Sequence, residues 1–173
     1  MRVTPGPGPT RNGMTNDFNA LYEKYALDVL RFALYLSGNR AEAEDITSET
    51  FVRAWTSPEP IRAATVKGYL FTIARNLFIQ GLRKRKRNVE LDTEMRDPQA
   101  GPHQLAEDKA EFEAVLTGLQ MLPEVDRSVV VMRAFEGMSY EEISQALGIP
   151  LGTVKVKIHR ARLALSGIRG GAS

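Results

Sequence analysis

From Phe18 to Leu165 the apolar residues recur three and four positions apart, with no convincing stretch of single alternation. A period near 3.6 lines one face of a helix, whereas a half-buried strand needs a period of 2. The expected fold is all-α. Phe18, Leu21, Tyr22, Tyr25, Leu30 and Phe32 set the pattern in FNALYEKYALDVLRFALYL. GNR interrupts it and AEAEDITSETFVRAW resumes it. Pro58 and Pro60 then stop it, because proline lacks the amide hydrogen that a helix interior requires. A third helix, about Val66 to Arg85, carries an inward stripe of Leu70, Ile73, Ala74, Leu77 and Gly81.

Periodicity lapses from Asn88 to about Ala106, where DTEMRDPQAGPHQ is polar and proline-containing, the composition of a linker. It returns in a helix ending near Leu122, another from Glu124 to Phe135, a short one from Ser139 to Leu147 and a last one from Leu151. A chain of 173 residues accommodates two small domains. The expected organisation is a disordered Pro- and Gly-rich tail over 1–15, a helical bundle over 16–87, a flexible linker over 88–106, a second helical domain over 107–166 and a frayed tail over 167–173.

Composition removes several functional classes. The chain has no cysteine, so disulfides, thiolate metal sites and cysteine nucleophiles are excluded. His103 and His159 lie far apart in unlike settings, so neither a metal site nor histidine catalysis is expected. There is no GxxxxGK[ST] phosphate loop. The expectation is no cofactor, no metal and no enzymatic activity. No apolar run approaches about 18 residues and the N-terminus lacks a secretory segment, which predicts a cytoplasmic chain with no membrane insertion. The net charge of +2 conceals separated blocks. Bases crowd Arg83–Arg87 and Lys155–Arg162, acids crowd Glu42–Glu49 and Glu90–Glu113, which suits one nucleic-acid surface and one distinct protein-facing surface.

The basic block near the C-terminus follows MSYEEISQALGIPLGTVKVKIHRAR. Ser139 with Glu142 three residues on is a capping box that fixes a helix start. Gly148 supplies the permissive backbone of a sharp turn, and Pro150 stops one helix and launches the next. Two short helices on a glycine turn form a helix-turn-helix. At about 100° per residue, Val154, Ile158, Ala161 and Leu165 fall on the inner side of the last helix. Gly152, Thr153, Val156, His159 and Arg160 face outward, flanked by Lys155, Lys157 and Arg162. That suits a recognition helix in the major groove of DNA, with flanking cations beside phosphates.

In the first half, VKGYLFTIARNLFIQGLRKRKR combines Tyr69, Phe71, Arg75, Asn76 and Phe78 with a basic end. Aromatic rings stack on unpaired bases, cations hold the backbone, and an amide such as Asn76 reads the edge of a flipped base. The same rings equally fit a core role. Upstream, Glu42, Glu44, Asp45 and Glu49 crowd under three turns, which fits either a basic protein partner or a solvated face. Trp55 fits either an interface hot spot or a core anchor.

Taken together, EAEDITSETFVRAW, GYLFTIARNLFIQGLRKRKR and LPEVDRSVVVMRAFEGMSYEEISQALGIPLGTVKVKIHRAR resemble the bacterial RNA polymerase sigma factors of the sigma-70 family, extracytoplasmic-function group. The resemblance covers roughly Asn16 to Leu165. It implies that 16–87 is region 2, which binds the coiled coil of the polymerase's largest subunit and opens the minus-10 element. It implies that 107–166 is region 4, which binds the minus-35 element and the flap of the next-largest subunit. By position Asp45, Ser48, Glu49 and Trp55 match the core-polymerase contacts. Tyr69, Arg75, Asn76, Arg83, Lys84 and Arg85 fall to minus-10 DNA, Asn76 matching the asparagine that holds a flipped base. Thr153, Lys155, Val156, Lys157, His159, Arg160 and Arg162 fall to minus-35 DNA. An anti-sigma factor is a further implied partner, and the free chain is expected to be a monomer.

Two departures stand out. Ser48 replaces the family's common glutamine before ETF, weakening one polymerase hydrogen bond. Val156 replaces a common serine and favours a thymine methyl or a steric contact. Two other readings make different predictions. A stand-alone helix-turn-helix regulator would bind an operator as a dimer without polymerase. A sigma mimic that sequesters an anti-sigma factor would support no transcription with core polymerase.

Overall fold

Asn39, Thr65 and Ser139 each start a helix by accepting a backbone amide hydrogen from three residues further on. The computed structural model describes residues 11–57, 65–91 and 107–170, with side chains over 17–57, 65–88 and 109–167. Among these residues seven α-helices occur and no strand: α1 Arg11–Ser37, α2 Arg40–Thr56, α3 Val66–Leu91, α4 Glu107–Gln120, α5 Glu124–Val130, α6 Tyr140–Leu147 and α7 Leu151–Gly170. A π turn, Val131–Phe135, continues α5. Asn39 caps α2 by accepting from the amide of Glu42 at 2.9 Å. Just before it, Gly38 reverses the chain at φ 67°, in the left-handed region glycine enters without steric cost.

The first three helices enclose the aromatic core that the sequence stripe only partly shows. Phe32 of α1 stacks on Phe71 of α3 with ring centroids 4.3 Å apart and an interplanar angle of 8°. Leu70, Ala74 and Phe78 are buried beside them, with Phe51 and Ile46 from α2. Phe71 and Phe78 are therefore core rings, and removing either costs about 3–5 kcal/mol. The stripe predicted for α3 is present but too narrow, because α3 packs against α1 and α2 on one side and α6 on another.

The second half wraps Val129, Val131, Met132 and Met138 with Ile143 of α6 and Val154, Ile158 and Ala161 of α7, all buried. Helix α3 runs to Leu91, beyond the expected boundary at Asn88; α1 starts at Arg11 instead of Asn16, and α7 continues to Gly170 into the expected tail. Most of the expected linker, 92–106, the tail over 1–10 and the proline break at Pro58 and Pro60 lie outside the described residues.

The expectation of two bundles on a free tether meets a seam. The buried residues of both halves form one continuous cluster. Glu136, whose carboxylate side chain is fully buried, accepts from Arg31 of α1 at 2.7 and 2.9 Å. Lys67 of α3 lies 3.1 Å from the same carboxylate and donates to the Glu136 main-chain carbonyl at 3.2 Å. Phe135 stacks on Tyr35 at 4.4 Å.

Candidate nucleic-acid and polymerase interface

The helix-turn-helix assembles as its capping residues dictate. Ser139 Oγ accepts from the Glu142 amide at 3.1 Å, and the Glu142 carboxylate accepts from the Ser139 amide, completing the capping box. Gly148 ends α6 at φ 66° and ψ 35°, and its amide donates to the Ser144 carbonyl at 2.9 Å. Ser144 Oγ donates to the Ile149 carbonyl at 2.6 Å, which fixes the turn internally. Helix α7 then starts at Leu151, with the Val154 amide donating to the Pro150 carbonyl.

Val154, Ile158 and Ala161 bury the inner edge of α7. Lys155, Val156, His159, Arg160 and Arg162 are exposed, and Thr153 and Lys157 are half-buried. Val156 is 57% exposed, an apolar side chain set among cations. Six of the seven residues expected on this face thus share an open or flanking position. Lys157 differs, because its ammonium donates to Asp126 Oδ1 of α5 at 2.9 Å.

Helix α2 turns Ala43, Ile46, Thr47, Thr50 and Phe51 inward. Thr47 and Thr50 satisfy their buried hydroxyls by donating to the carbonyls of Ala43 and Ile46, one turn back. Asp45, Ser48 and Glu49 stand exposed on the opposite face, where Glu49 pairs with Arg53 at 3.2 Å. Trp55 is 40% exposed and sets its ring edge-on to Phe18 at 5.1 Å, so it is part packed and part open.

On α3 the six residues assigned to minus-10 DNA separate into three settings. Asn76, Arg83 and Lys84 are exposed. Tyr69 is half-buried against the core. Arg75 and Arg85 are held by acids. Arg75 lies 2.7 Å from Glu124 and donates to Ser128 Oγ at 3.2 Å, both on α5 across the seam. Arg85 forks onto Glu42 of α2, one arm at 2.8 Å, which ties α3 to α2.

The groups that set the seam were missed in sequence. Arg127, 8% exposed, donates to the carbonyls of Leu119 at 2.8 Å, Leu36 at 2.6 Å and Leu122 at 3.1 Å. Burial pushes its pKa down from the ordinary guanidinium value, with nearby Glu124 opposing. Arg31 is raised, chiefly by its hydrogen bond to Glu136. One signal was present: Asp126 and Arg127 open the apolar run SVVVM, where an unpaired charge would be costly to bury. Among the described residues no cluster of three His, Cys, Asp or Glu forms a metal site, and no helix is long and apolar enough to cross a membrane.

Residues 21–88 match the family described as Sigma-70 region 2, and residues 112–165 match Sigma-70, region 4. The ECF RNA polymerase sigma factor SigL of Mycobacterium tuberculosis is 39% identical over 153 residues, covering 84% of this chain and 85% of the relative. SigE of Mycolicibacterium smegmatis is 38% identical over 153 residues, 86% of this chain but 60% of its own length. SigM of Bacillus subtilis is 31% identical over 155 residues, covering 86% of this chain and 92% of the relative. Among solved structures, the sigma factor RpoE of Bartonella quintana, crystallised with the anti-sigma factor NepR, superposes with a TM-score of 0.74 at 27% identity, over 90% of this chain and 98% of that one. These likenesses join both halves in the same order to a family of non-enzymatic factors that bind RNA polymerase and direct it to promoters. The chain belongs to the sigma-70 family, as an ECF RNA polymerase sigma factor.

Proposed function

We propose that the two halves divide promoter recognition between paired and unpaired DNA. Helix α7 reads the minus-35 duplex with Lys155, Val156, His159, Arg160 and Arg162 at the groove and Thr153 at its border, while the Lys157 ammonium is turned back to Asp126. The observation that carries this reading is the separation of faces on α7: Val154, Ile158 and Ala161 are fully or almost fully buried, and the cations stand on the other side. Phosphate contacts from such cations position a helix, and contacts to base edges give it specificity.

Region 2 captures the minus-10 strand. Asn76 is exposed on α3 and supplies an amide for one flipped base, Tyr69 borders that site, and Arg83 and Lys84 hold the backbone. Arg75 joins them only after the seam releases it from Glu124. Arg85 contributes by fixing α3 on α2 through Glu42. Melting then proceeds without nucleotide hydrolysis by this chain, since captured bases shift the duplex–bubble equilibrium by differential binding. Asp45, Ser48, Glu49 and Trp55 form the surface offered to the coiled coil of the largest polymerase subunit, and region 4 meets the flap of the next-largest subunit. An anti-sigma protein of the kind that holds the Bartonella relative is the natural regulator.

Run-off transcription from the cognate promoter with purified core polymerase tests the reading. Asn76→Ala is expected to co-elute with core polymerase yet lower permanganate-reactive bubble formation about tenfold, the loss of one good base contact of roughly 1–3 kcal/mol. Wild-type footprints from this variant would remove Asn76 from the bubble. Lysine at both Asp45 and Glu49 should abolish co-elution, and normal co-elution would remove α2 from the polymerase interface.

A further inference from the structure

Asp126 sits in the first turn of α5, directly behind the cationic face of α7, and is 1% exposed. Its two oxygens are treated unequally. Oδ1 accepts from the Lys157 ammonium at 2.9 Å. Oδ2 is buried without any hydrogen bond, and Arg160 Nη1 lies 3.8 Å from it. A hydrogen bond needs a separation nearer 3 Å, so this second contact is an attraction that a small rotation of the arginine would close. A buried carboxylate oxygen left without a donor is costly, which favours that rotation.

Lys157 and Arg160 are three residues apart and so neighbours on the helix surface. Their exposures separate them: the Lys157 side chain is 21% exposed and that of Arg160 is 61%. A lysine whose ammonium is bound inward presents its stem to the surface and has its charge neutralised. An arginine can give one N–H to an acid and still present others, because the guanidinium carries five donors in a rigid fork.

We infer that Asp126 is a positioning residue for promoter reading: it withdraws Lys157 from the DNA phosphates and orients the Arg160 guanidinium toward one base pair. The inference rests on the reading of α7 as the minus-35 helix. Its effect is to exchange general attraction for discrimination. A face that the sequence presents with five bases between Lys155 and Arg162, histidine included, acts with one fewer free cation and one steered cation.

The test measures binding of the assembled holoenzyme to minus-35 duplexes, cognate and singly substituted, over a range of salt. Each phosphate contact contributes about 0.9 to the slope of log K against log salt. Lys155→Gln should lower that slope by about 0.9, whereas Lys157→Gln should leave it unchanged. Asp126→Asn should raise the slope by about 0.9, tighten binding to non-promoter DNA and lower the specific-to-non-specific ratio about tenfold. Adding Lys157→Gln to Asp126→Asn should return the slope to the wild-type value. A merely structural tie between α5 and α7 would instead make Asp126→Asn weaken all duplexes in parallel, and that result would overturn the inference. So would a Lys157→Gln slope reduced as far as that of Lys155→Gln, a comparison that stands even if Asp126→Asn does not fold. Should Lys155→Gln, Lys157→Gln and Arg160→Ala all leave binding untouched, the assignment of α7 to DNA fails, and this inference with it.

Discussion

Tyr35 lies where α1 meets the π turn, stacked on Phe135 and 8% exposed. Burial pushes its phenol up from the ordinary value near 10, Glu136 adds to the rise and Arg31 opposes it. The folded chain therefore holds the phenolic proton more tightly than the unfolded one. Stability from this group is complete below the unfolded value and is lost as pH climbs through the raised folded value. Wild-type protein is expected to lose more urea stability between pH 9 and pH 11 than Tyr35→Phe does. Equal losses would mean that Tyr35 is solvated in both states. At this scale the sequence shows Tyr35 only as one more apolar position. Asp45, Ser48, Glu49 and Asn76 emerge exposed as helical geometry requires, while Arg75 and Lys157 are bound by acids distant in the chain. A pairing between residues 31 or more positions apart leaves no mark in local spacing.

Elements were more legible than single side chains, because capping and periodicity are local. The α6–turn–α7 unit follows from Ser139, Glu142, Gly148 and Pro150; the bounds of α6 and the start of α7 agree with the expected ones within a residue, while α7 runs four residues past its expected end. Gly148 permits a sharp prediction, since a Cβ built there meets nothing within 4 Å. Gly148→Ala should cost about 1–2 kcal/mol from left-handed backbone alone, without a clash. Gly148→Asn should cost less, as asparagine tolerates that region better. Denaturation midpoints of the two variants check the order, and an alanine variant as stable as wild type would show that the turn relaxes. Helix α3 was less legible. One apolar stripe marks a helix packed on one side, whereas Phe71 and Phe78 join Leu70 and Ala74 because neighbours surround α3 on more than one face. Its run past Asn88 was hidden by the lapse of apolar periodicity, which marks where packing ends and not where backbone hydrogen bonding does.

At the scale of the molecule, the seam sets how the halves part. Glu136 on one side faces Arg31 and Lys67 on the other. Glu136→Ala leaves two cations that are partly exposed and rehydrate readily, so the expected loss is roughly 2 kcal/mol of docking, below that of a fully buried pair. Small-angle scattering should then give a larger radius of gyration for Glu136→Ala than for wild type, and identical profiles would assign the seam to its apolar contacts. The sequence suggested independent bundles because each has its own stripe; beside the shared apolar cluster and the ion pairs, four side chains join them through backbone carbonyls. Arg127 donates to the carbonyl of Leu36, Gln120 to that of Tyr35, Thr72 to that of Ala146 and Lys67 to that of Glu136. Every amino acid carries such an acceptor, so these attachments depend on the path of the chain and not on which side chain occupies the position. Halves exchanged between homologues that keep these four donors, and the ion pairs of Glu136 and Arg75 with them, should therefore still fit, making the joint a common coupling on which promoter preference is free to diversify.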